Sequence, residues 1–417
     1  MVALGSCNDV NKTNTLWPEI AARRPDLWAW LGDNIYADHL PKRLELLRLL
    51  WSEPWRLRGG VGALFQQASP EKLVYMYGLQ KRLPAYRAFL DSIGGERNMV
   101  AIWDDHDVGL NDAGASLGAA YLARSQAAFL DFVGASAEDE RRSRPGIYAS
   151  RDVAGGRVRL IMLDTRQFRS DYGDDERGDV LGEAQWRWLE QQLAGSSAQF
   201  NVLLSGVQVL QEPPVRVKIE NWDRLPAARA RLLRLLRDTP AQGLVLLSGD
   251  VHFSEFSEAH CGRFALPEFT SSGMTHSWAD YPFPLPFAFE AALRVLPLRH
   301  ALPGSFYLRK SFGELAFAGL GTPGATVTAR IVAEGGRVVR EHVWSAHGLK
   351  PAGAQPLCQW APSQGPPPGE AEKAALLAVW LAVAAVPLLA LASLVALAAS
   401  RLCARKAARP KGKDKAA

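Results

Sequence analysis

Six short apolar runs, each ending in residues that can bind metal or phosphate, constrain the fold of this 417-residue chain most strongly. Between them lie stretches whose apolar residues recur at helical spacing. Strands joined by helices form open α/β sheets, which bind ligands beyond the carboxyl ends of their strands. We therefore predict an α/β fold whose strand ends converge on one site. The runs are VALGSCN (2–8), DLWAWLGD (26–33), NMVAIWDDHD (98–107), RVRLIMLDTR (157–166), FNVLLSGVQ (200–208) and GLVLLSGDVH (243–252).

The net charge of +5 comes from the C-terminal tail and not from the body of the chain. Residues 401–417 contain seven Lys or Arg and one Asp, whereas residues 1–369 carry no net charge. The basic pI of about 9.0 therefore gives no reason to expect nucleic-acid binding. The four cysteines lie far apart and include no Cys-x-x-Cys pair, so we expect neither a disulfide framework nor a zinc knuckle.

Residues 374–400 form an uncharged and mostly apolar run of 27 residues. A helix needs about 20 such residues to cross a bilayer, so we predict a single transmembrane helix here in preference to a buried core helix. The basic tail favours the cytosolic side of the membrane. Lys413 and Lys415, fifth and third from the C-terminus, resemble a dilysine signal by which coat proteins retrieve membrane proteins to the endoplasmic reticulum. A generic basic stop-transfer tail is the alternative.

We divide the chain into a globular domain (1–348), a Pro/Gly-rich juxtamembrane linker (349–373), the transmembrane helix (374–400) and the basic tail (401–417). A cytosolic tail implies a lumenal body, yet no signal peptide precedes the first apolar run. Two interpretations stay open. Either the sequence lacks its original start, or the body faces the cytosol on a tail anchor.

Three of the strand ends have the composition of a metal site. Asp33 follows a glycine, and Tyr36 lies about one helical turn further on. WDDHD surrounds His106 with three carboxylates, which repel one another unless cations neutralise them; a solvated acidic loop fits less well because the cluster ends an apolar strand. Asp250 and His252 lie two residues apart on an extended segment and so point the same way. The segment TSSGMTHSW (270–278) could line the mouth of the same site.

Five motifs in order, GSCN, GDNIYAD, WDDHD, LDTRQFR and SGDVH, resemble the alkaline phosphatase D family over roughly residues 3–345. That family belongs to the calcineurin-like metallophosphoesterases and is related to purple acid phosphatases. The resemblance implies a four-layer αββα sandwich with a two-metal site. It also implies a phosphoric ester hydrolase that uses a metal-activated hydroxide on monoesters or diesters, phospholipids included.

The resemblance also implies a ferric iron and a second metal, for which oxygen ligands favour calcium. Gln208 is the nearest candidate for an additional ligand, where the wider superfamily has a histidine. For Cys7, a buried structural thiol remains the alternative. The implied iron ligands are Cys7, Asp33, Tyr36 and His252, and the implied ligands of the second metal are Asp33, Asp105 and Asp250.

Two residues are expected to act on the substrate. His106 stands where the superfamily's histidine meets the phosphate, and it would orient that group or protonate the leaving alcohol. Arg166 would bind phosphate oxygens through its planar guanidinium, with a salt bridge to Asp164 as the alternative. A membrane-anchored binding protein that keeps the fold without catalysis is the rival functional interpretation.

Overall fold

The computed structural model describes residues 1–41, 64–172, 177–212, 219–261, 264–282, 284–295, 299–349 and 361–362, with Ala374 and Ala378 singly. The chain divides into two compact units. The first comprises Met1–Asp280 and Pro297–Pro366, and the second comprises Tyr281–Leu296 and Pro367–Ala417. Within the part of the chain that is described, no helix combines the length and apolar character needed to cross a bilayer. The predicted transmembrane helix, apart from those two alanines, and the basic tail lie outside the described residues.

Two β-sheets form the framework of the first unit. The strands are β1 (Val2–Gly5), β2 (Leu27–Leu31), β3 (Met99–Ile102), β4 (Ala149–Val153), β5 (Val158–Met162), β6 (Phe200–Leu204), β7 (Leu244–Ser248), β8 (Glu255–Cys261), β9 (Phe264–Thr270), β10 (Ser311–Ala318), β11 (Thr326–Ala333), β12 (Val338–Ser345) and β13 (Ala361–Pro362). One sheet has the order β12-β11-β10-β1-β2-β3, and the other has the order β13-β8-β9-β7-β6-β5-β4. Both contain parallel and antiparallel pairs, so the predicted α/β fold is confirmed as one with two mixed sheets.

Helices lie between the strands, as the periodicity predicts. They are α1 (Trp17–Ala22), α2 (Pro70–Arg82), α3 (Pro84–Ser92), α4 (Asp105–Val108), α5 (Ala119–Phe132), α6 (Gly182–Ala194), α7 (Pro226–Asp238) and, in the second unit, α8 (Leu285–Val295). Helices α2 and α3 are separate because Pro84 has no N–H to donate and the preceding Leu83 is extended, with ψ of 122°.

Alternating side chains of the strands pack on opposite faces of the sheets. In β6, Val202 and Leu204 belong to the core shared with β1, β2 and β3, whereas Leu203 packs with the buried faces of α6 and α7. Helix α1 packs against the first sheet through Trp17, whose ring lies 5.4 Å from that of Trp28. Aromatic pairs of this kind stabilise a core by about 0.5–1.5 kcal/mol beyond the area that they bury.

The carboxyl ends of strands from both sheets meet at one place. Strands β1, β2 and β3 are parallel, and the Asn8 N–H donates to the Asp33 carbonyl at 2.9 Å just beyond them. Strand β7 of the other sheet ends at the same point. A Cβ at Gly249 would lie 2.5 Å from Ser6 Oγ and 2.6 Å from the Leu31 carbonyl oxygen, so only glycine permits this approach.

One cysteine forms a bond that the sequence analysis did not predict. Cys261, at the end of β8, is disulfide-bonded. Spacing along the sequence could not predict this bond, because pairing of strands decides which distant cysteines meet. Cys7 is a buried, free thiol.

Candidate metal centre

Four predicted ligands lie on left-handed backbone in the loops that follow strands. Their φ angles are 60° for Cys7, 49° for Asp33, 70° for Asp250 and 59° for His252. A residue with a Cβ rarely adopts this conformation, at a cost of roughly 1–2 kcal/mol. Such strain persists where the surrounding structure imposes it, and it clusters at functional sites. The prediction that Asp250 and His252 lie on an extended segment and point the same way is therefore wrong, and the two side chains belong to different donor groups.

The first ligand group contains a thiol, a carboxylate, an imidazole and a phenol. Donor atoms of Cys7, Asp33 and His252 all lie within 4.8 Å of one another. The Tyr36 hydroxyl lies 2.9 Å from Asp33 Oδ2 and 3.2 Å from His252 Nε2. The structure thus brings together all four implied iron ligands, and their roles as ligands stay predictions.

The second ligand group consists of carboxylates and shares Asp33 with the first. Oxygens of Asp33, Asp104, Asp105 and Asp250 lie within 4.8 Å of one another. This group contains the three implied ligands of the second metal together with Asp104, to which the sequence analysis gave no role. One carboxylate therefore belongs to both groups.

Burial and mutual repulsion disfavour the ionised state of the carboxylates in this centre. Burial, with the charges of Asp105 and Cys7, raises the pKa of Asp33 well above its usual range. Burial and the charge of Glu220 do the same to the pKa of Asp250. Asp33 Oδ1 and Asp104 Oδ2 are also buried without a hydrogen-bond partner. Cations would neutralise this charge and occupy these oxygens, so the residues present fit a metal centre.

His106 lies beside the carboxylate group and is held by a residue that the sequence analysis did not assign. Its Nδ1 lies 2.6 Å from Asp38 Oδ1, and its ring packs against Tyr36 with centroids 4.1 Å apart. Burial lowers the pKa of His106, but the charges of Asp105 and Asp38 outweigh it and raise that pKa to about 9. With no metal ion bound, these carboxylates therefore favour the protonated imidazole. Asp38 ends the quoted GDNIYAD motif, which is the signal that could have identified it.

Arg166 is fully buried among acidic side chains. Its Nε lies 2.5 Å from Asp104 Oδ1, and its terminal nitrogens lie 2.6 and 2.9 Å from the two Glu220 oxygens. Asp164 accepts the backbone N–H of Arg166 and not its guanidinium. A contact between Arg166 and phosphate stays a prediction, and it would require these ion pairs to open. No sequence pattern pointed to Glu220.

Gln208 and Ser272 differ in their contacts with the predicted ligands. The Gln208 amide nitrogen donates to Glu255 Oε1 at 2.7 Å and to Thr270 Oγ1 at 3.0 Å, and its role as a ligand stays a prediction. The Ser272 hydroxyl lies 3.0 Å from Cys7 Sγ and accepts the His252 N–H at 2.8 Å. The segment 270–278 therefore borders the centre, as expected.

Two mixed sheets with ligand groups at their strand ends define a metallophosphoesterase-like α/β protein. The model of the PhoD-like phosphatase family matches residues 2–278, and the chain belongs to this family. Alkaline phosphatase D of Bacillus subtilis is 29% identical over 188 residues, which cover 39% of this chain and 32% of that protein. The chain thus matches about a third of the length of this curated relative.

Solved structures resemble the fold. The structure of PhoD has a TM-score of 0.56 at 20% identity, covering 84% of this chain and 73% of that one. Purple acid phosphatase PPD1 from seeds of yellow lupin (Lupinus luteus) has a TM-score of 0.46 at 12% identity, covering 82% of this chain and 53% of that one.

Proposed function

We propose that this protein hydrolyses phosphoric esters at a centre that holds two metal ions. The observation that carries the proposal is the sharing of Asp33 between two donor groups, one with Cys7 and His252 and one with Asp105 and Asp250. A shared carboxylate holds two cations close together, and paired cations stabilise the attacking and leaving oxygens in phosphoryl transfer. Membership of a phosphatase family supports the same reaction.

The donor types support different metals in the two groups. Thiolate, phenolate and imidazole suit a transition metal, which we propose to be Fe³⁺, whereas a group of carboxylates suits Ca²⁺. Burial raises the pKa of Cys7 to about 11 and that of Tyr36 well above its usual range, so both need a strongly acidic cation to lose their protons. When bound, the metal ions supply charge that polarises the phosphate and acidifies water.

His106 is the proton donor in this proposal. Its Nδ1 is engaged by Asp38, which leaves Nε2 to face the substrate. In its protonated form, which Asp38 favours, the ring can hold a phosphate oxygen or give its proton to the leaving alcohol. Arg166 acts as a positioning residue, since its guanidinium holds Asp104 and Glu220 in place.

The test is turnover of p-nitrophenyl phosphate and of bis-p-nitrophenyl phosphate by the full chain, with and without a chelator. We expect chelator-sensitive hydrolysis of at least one ester, and the ratio of the two rates assigns monoesterase or diesterase preference. Asp33→Asn should abolish hydrolysis and remove bound metal. Asp131→Asn, which changes an exposed ion-pair partner of Arg142, should keep both hydrolysis and bound metal. No turnover on either ester, with little bound metal, would favour the binding-protein interpretation.

We also propose a membrane-anchored protein whose tail is cytosolic and whose body folds in an oxidising compartment, with retrieval to the endoplasmic reticulum. The disulfide at Cys261 supports an oxidising compartment for the body, because disulfides persist in such compartments. Protease protection on sealed microsomes tests it. A body that is digested without detergent would contradict the proposed topology.

A further inference from the structure

A cleft lies along helix α5 and contains none of the predicted metal ligands. Its volume is about 350 Å³, which suits one small molecule. Ala119, Ala123 and Ala127 line it, and residues four apart share one face of a helix. Their small side chains leave the surface of α5 open along this face. Among the described residues, the lining of the cleft and the two donor groups have no member in common.

The loop at residues 142–145 forms a second wall of this cleft, and Gln126 ties the loop to α5. Gln126 Nε2 donates to the Arg144 carbonyl at 2.8 Å, and Gln126 Oε1 accepts the Gly146 N–H at 2.8 Å. Pro145 adds an apolar surface whose backbone is restricted by its ring. Hydrogen bonds of a buried side chain therefore fix the two walls relative to each other.

Gln167 brings an unpaired amide to the cleft. The residue lines the cleft and is only 8% exposed. Its Oε1 is buried, and no described residue donates a hydrogen bond to it. The backbone of Gln167 is fixed, since its N–H donates to Asp164 Oδ1 at 2.8 Å. A buried acceptor without a partner costs about 1–3 kcal/mol, and a ligand that offers an N–H donor to Oε1 would recover this cost.

The amide and the basic residues lie toward opposite ends of α5. Gln167 lies toward the N-terminal end, because the Arg169 carbonyl, two residues further on, accepts the Ala115 N–H at 3.0 Å. Arg142 lies toward the C-terminal end, where it contacts Asp131 at 2.8 Å. Helix α5 has 14 residues and is therefore about 21 Å long. A ligand that reaches both groups is elongated, with a donor at one end and a negative charge at the other.

Two arginines supply the positive charge. Arg142 and Arg144 line the cleft, and no described acidic residue does. Their ion-pair partners lie outside it, Asp131 at 2.8 Å from Arg142 and Glu140 at 3.2 Å from Arg144. The two carboxylate side chains are 70% and 73% exposed, so they lose little when they return to water. A phosphate in the cleft can therefore compete for both guanidinium groups.

We propose that this cleft binds an adenine nucleotide, with the base at Gln167 and the phosphate at Arg142 and Arg144. A side-chain amide pairs with adenine at two atoms, because its oxygen accepts from the N6 amino group while its nitrogen donates to N7. Guanine presents acceptors at both positions, so Oε1 would stay unpaired with that base. The row of alanines lets a flat ring lie against α5. The site is distinct from the proposed hydrolysis and does not depend on it.

The test is calorimetric titration of AMP, GMP and inorganic phosphate into the full chain, after a chelator has removed metal ions and with them any hydrolysis. We expect AMP to bind about tenfold more tightly than GMP, and phosphate to bind more weakly than either. Gln167→Met should remove the preference for AMP. Ala123→Leu, which fills the cleft, should weaken AMP binding by about tenfold or more. Ala120→Leu changes an exposed alanine of α5 outside the lining, and this matched control should keep AMP binding.

The contrary outcomes are equally clear. Equal affinity for AMP, GMP and phosphate would overturn the nucleotide site, because the arginines alone would then hold an anion. Unchanged AMP binding in Ala123→Leu would also overturn it, and this result decides the question even if Gln167→Met fails to fold. AMP binding that requires metal ions would assign the nucleotide to the metal centre. Absence of AMP binding overturns the site and leaves the proposed function intact.

Discussion

Asp38→Asn would remove the negative charge next to His106 while keeping the shape of the side chain. In the folded protein the pKa of His106 rises from 6.5 to about 9, a difference of about 2.5 pH units. At 1.36 kcal/mol per unit this stabilises the fold by about 3 kcal/mol. Asp105 supplies the larger share of the favourable charge and Asp38 the next, and a hydrogen bond to a charged group such as that from His106 to Asp38 contributes about 1–2 kcal/mol. Because the folded pKa lies above the unfolded one, this stabilisation is complete below about pH 6.5 and is lost as the pH rises through about 9.

The assay is urea unfolding of chelator-treated protein, followed by tryptophan fluorescence at about pH 6 and about pH 10. Chelation matters because metal ions next to His106 would themselves lower its pKa. We expect Asp38→Asn to be less stable than wild type by about 1–2 kcal/mol at the lower pH and nearly equal at the higher pH. Asp238→Asn, which removes an exposed partner of Arg237, should show no such dependence. A deficit of the same size at both pH values would refute the reasoning, because Asp38 would then act without the imidazole charge.

Three further variants test other parts of the structure. Glu220→Gln leaves the buried Arg166 short of a counter-charge and should lower the free energy of unfolding by about 3 kcal/mol; Glu183→Gln breaks only an exposed pair, and a similar cost there would contradict this account. Cys7→Ser should lower bound iron in elemental analysis, because serine stays protonated where the thiol gives a thiolate; full iron content would remove Cys7 from the ligand set. Cys261→Ser should lower stability by about 2–4 kcal/mol in oxidising buffer but not in reductant, and an equal loss in both would exclude the disulfide as the cause.

The strand ends could be predicted because the strands are buried on both faces. Such strands are continuous apolar runs, and the first polar residues after them stand out. Cys7, Asp33 and Asp250 were found in this way, and the structure brings them together as the convergence of strand ends requires. The loop residues that contact these ligands were not predicted, because the sequence does not show how the loops fold over the strand ends.

Pairing between distant charged residues could not be predicted. The sequence suggests the nearby Asp164 as the ion-pair partner of Arg166. In the structure, however, Asp164 accepts the backbone N–H of Arg166. The guanidinium instead reaches Asp104 and Glu220, which are 62 and 54 residues away. Only the folded arrangement of β3, β5 and the loop before α7 brings these residues together.

The centre draws its ligands from both sheets, and this has a consequence for assembly from fragments. Cys7, Asp33 and Asp105 follow strands of the six-stranded sheet, whereas Asp250 and His252 follow β7 of the seven-stranded sheet. The chain first passes from the six-stranded to the seven-stranded sheet between β3 and β4. A protein cut at that crossing would carry an incomplete ligand set on each piece, so tight metal binding would appear only when the two pieces reassociate. The amount of bound metal would then measure the reassociation of the two pieces without an activity assay.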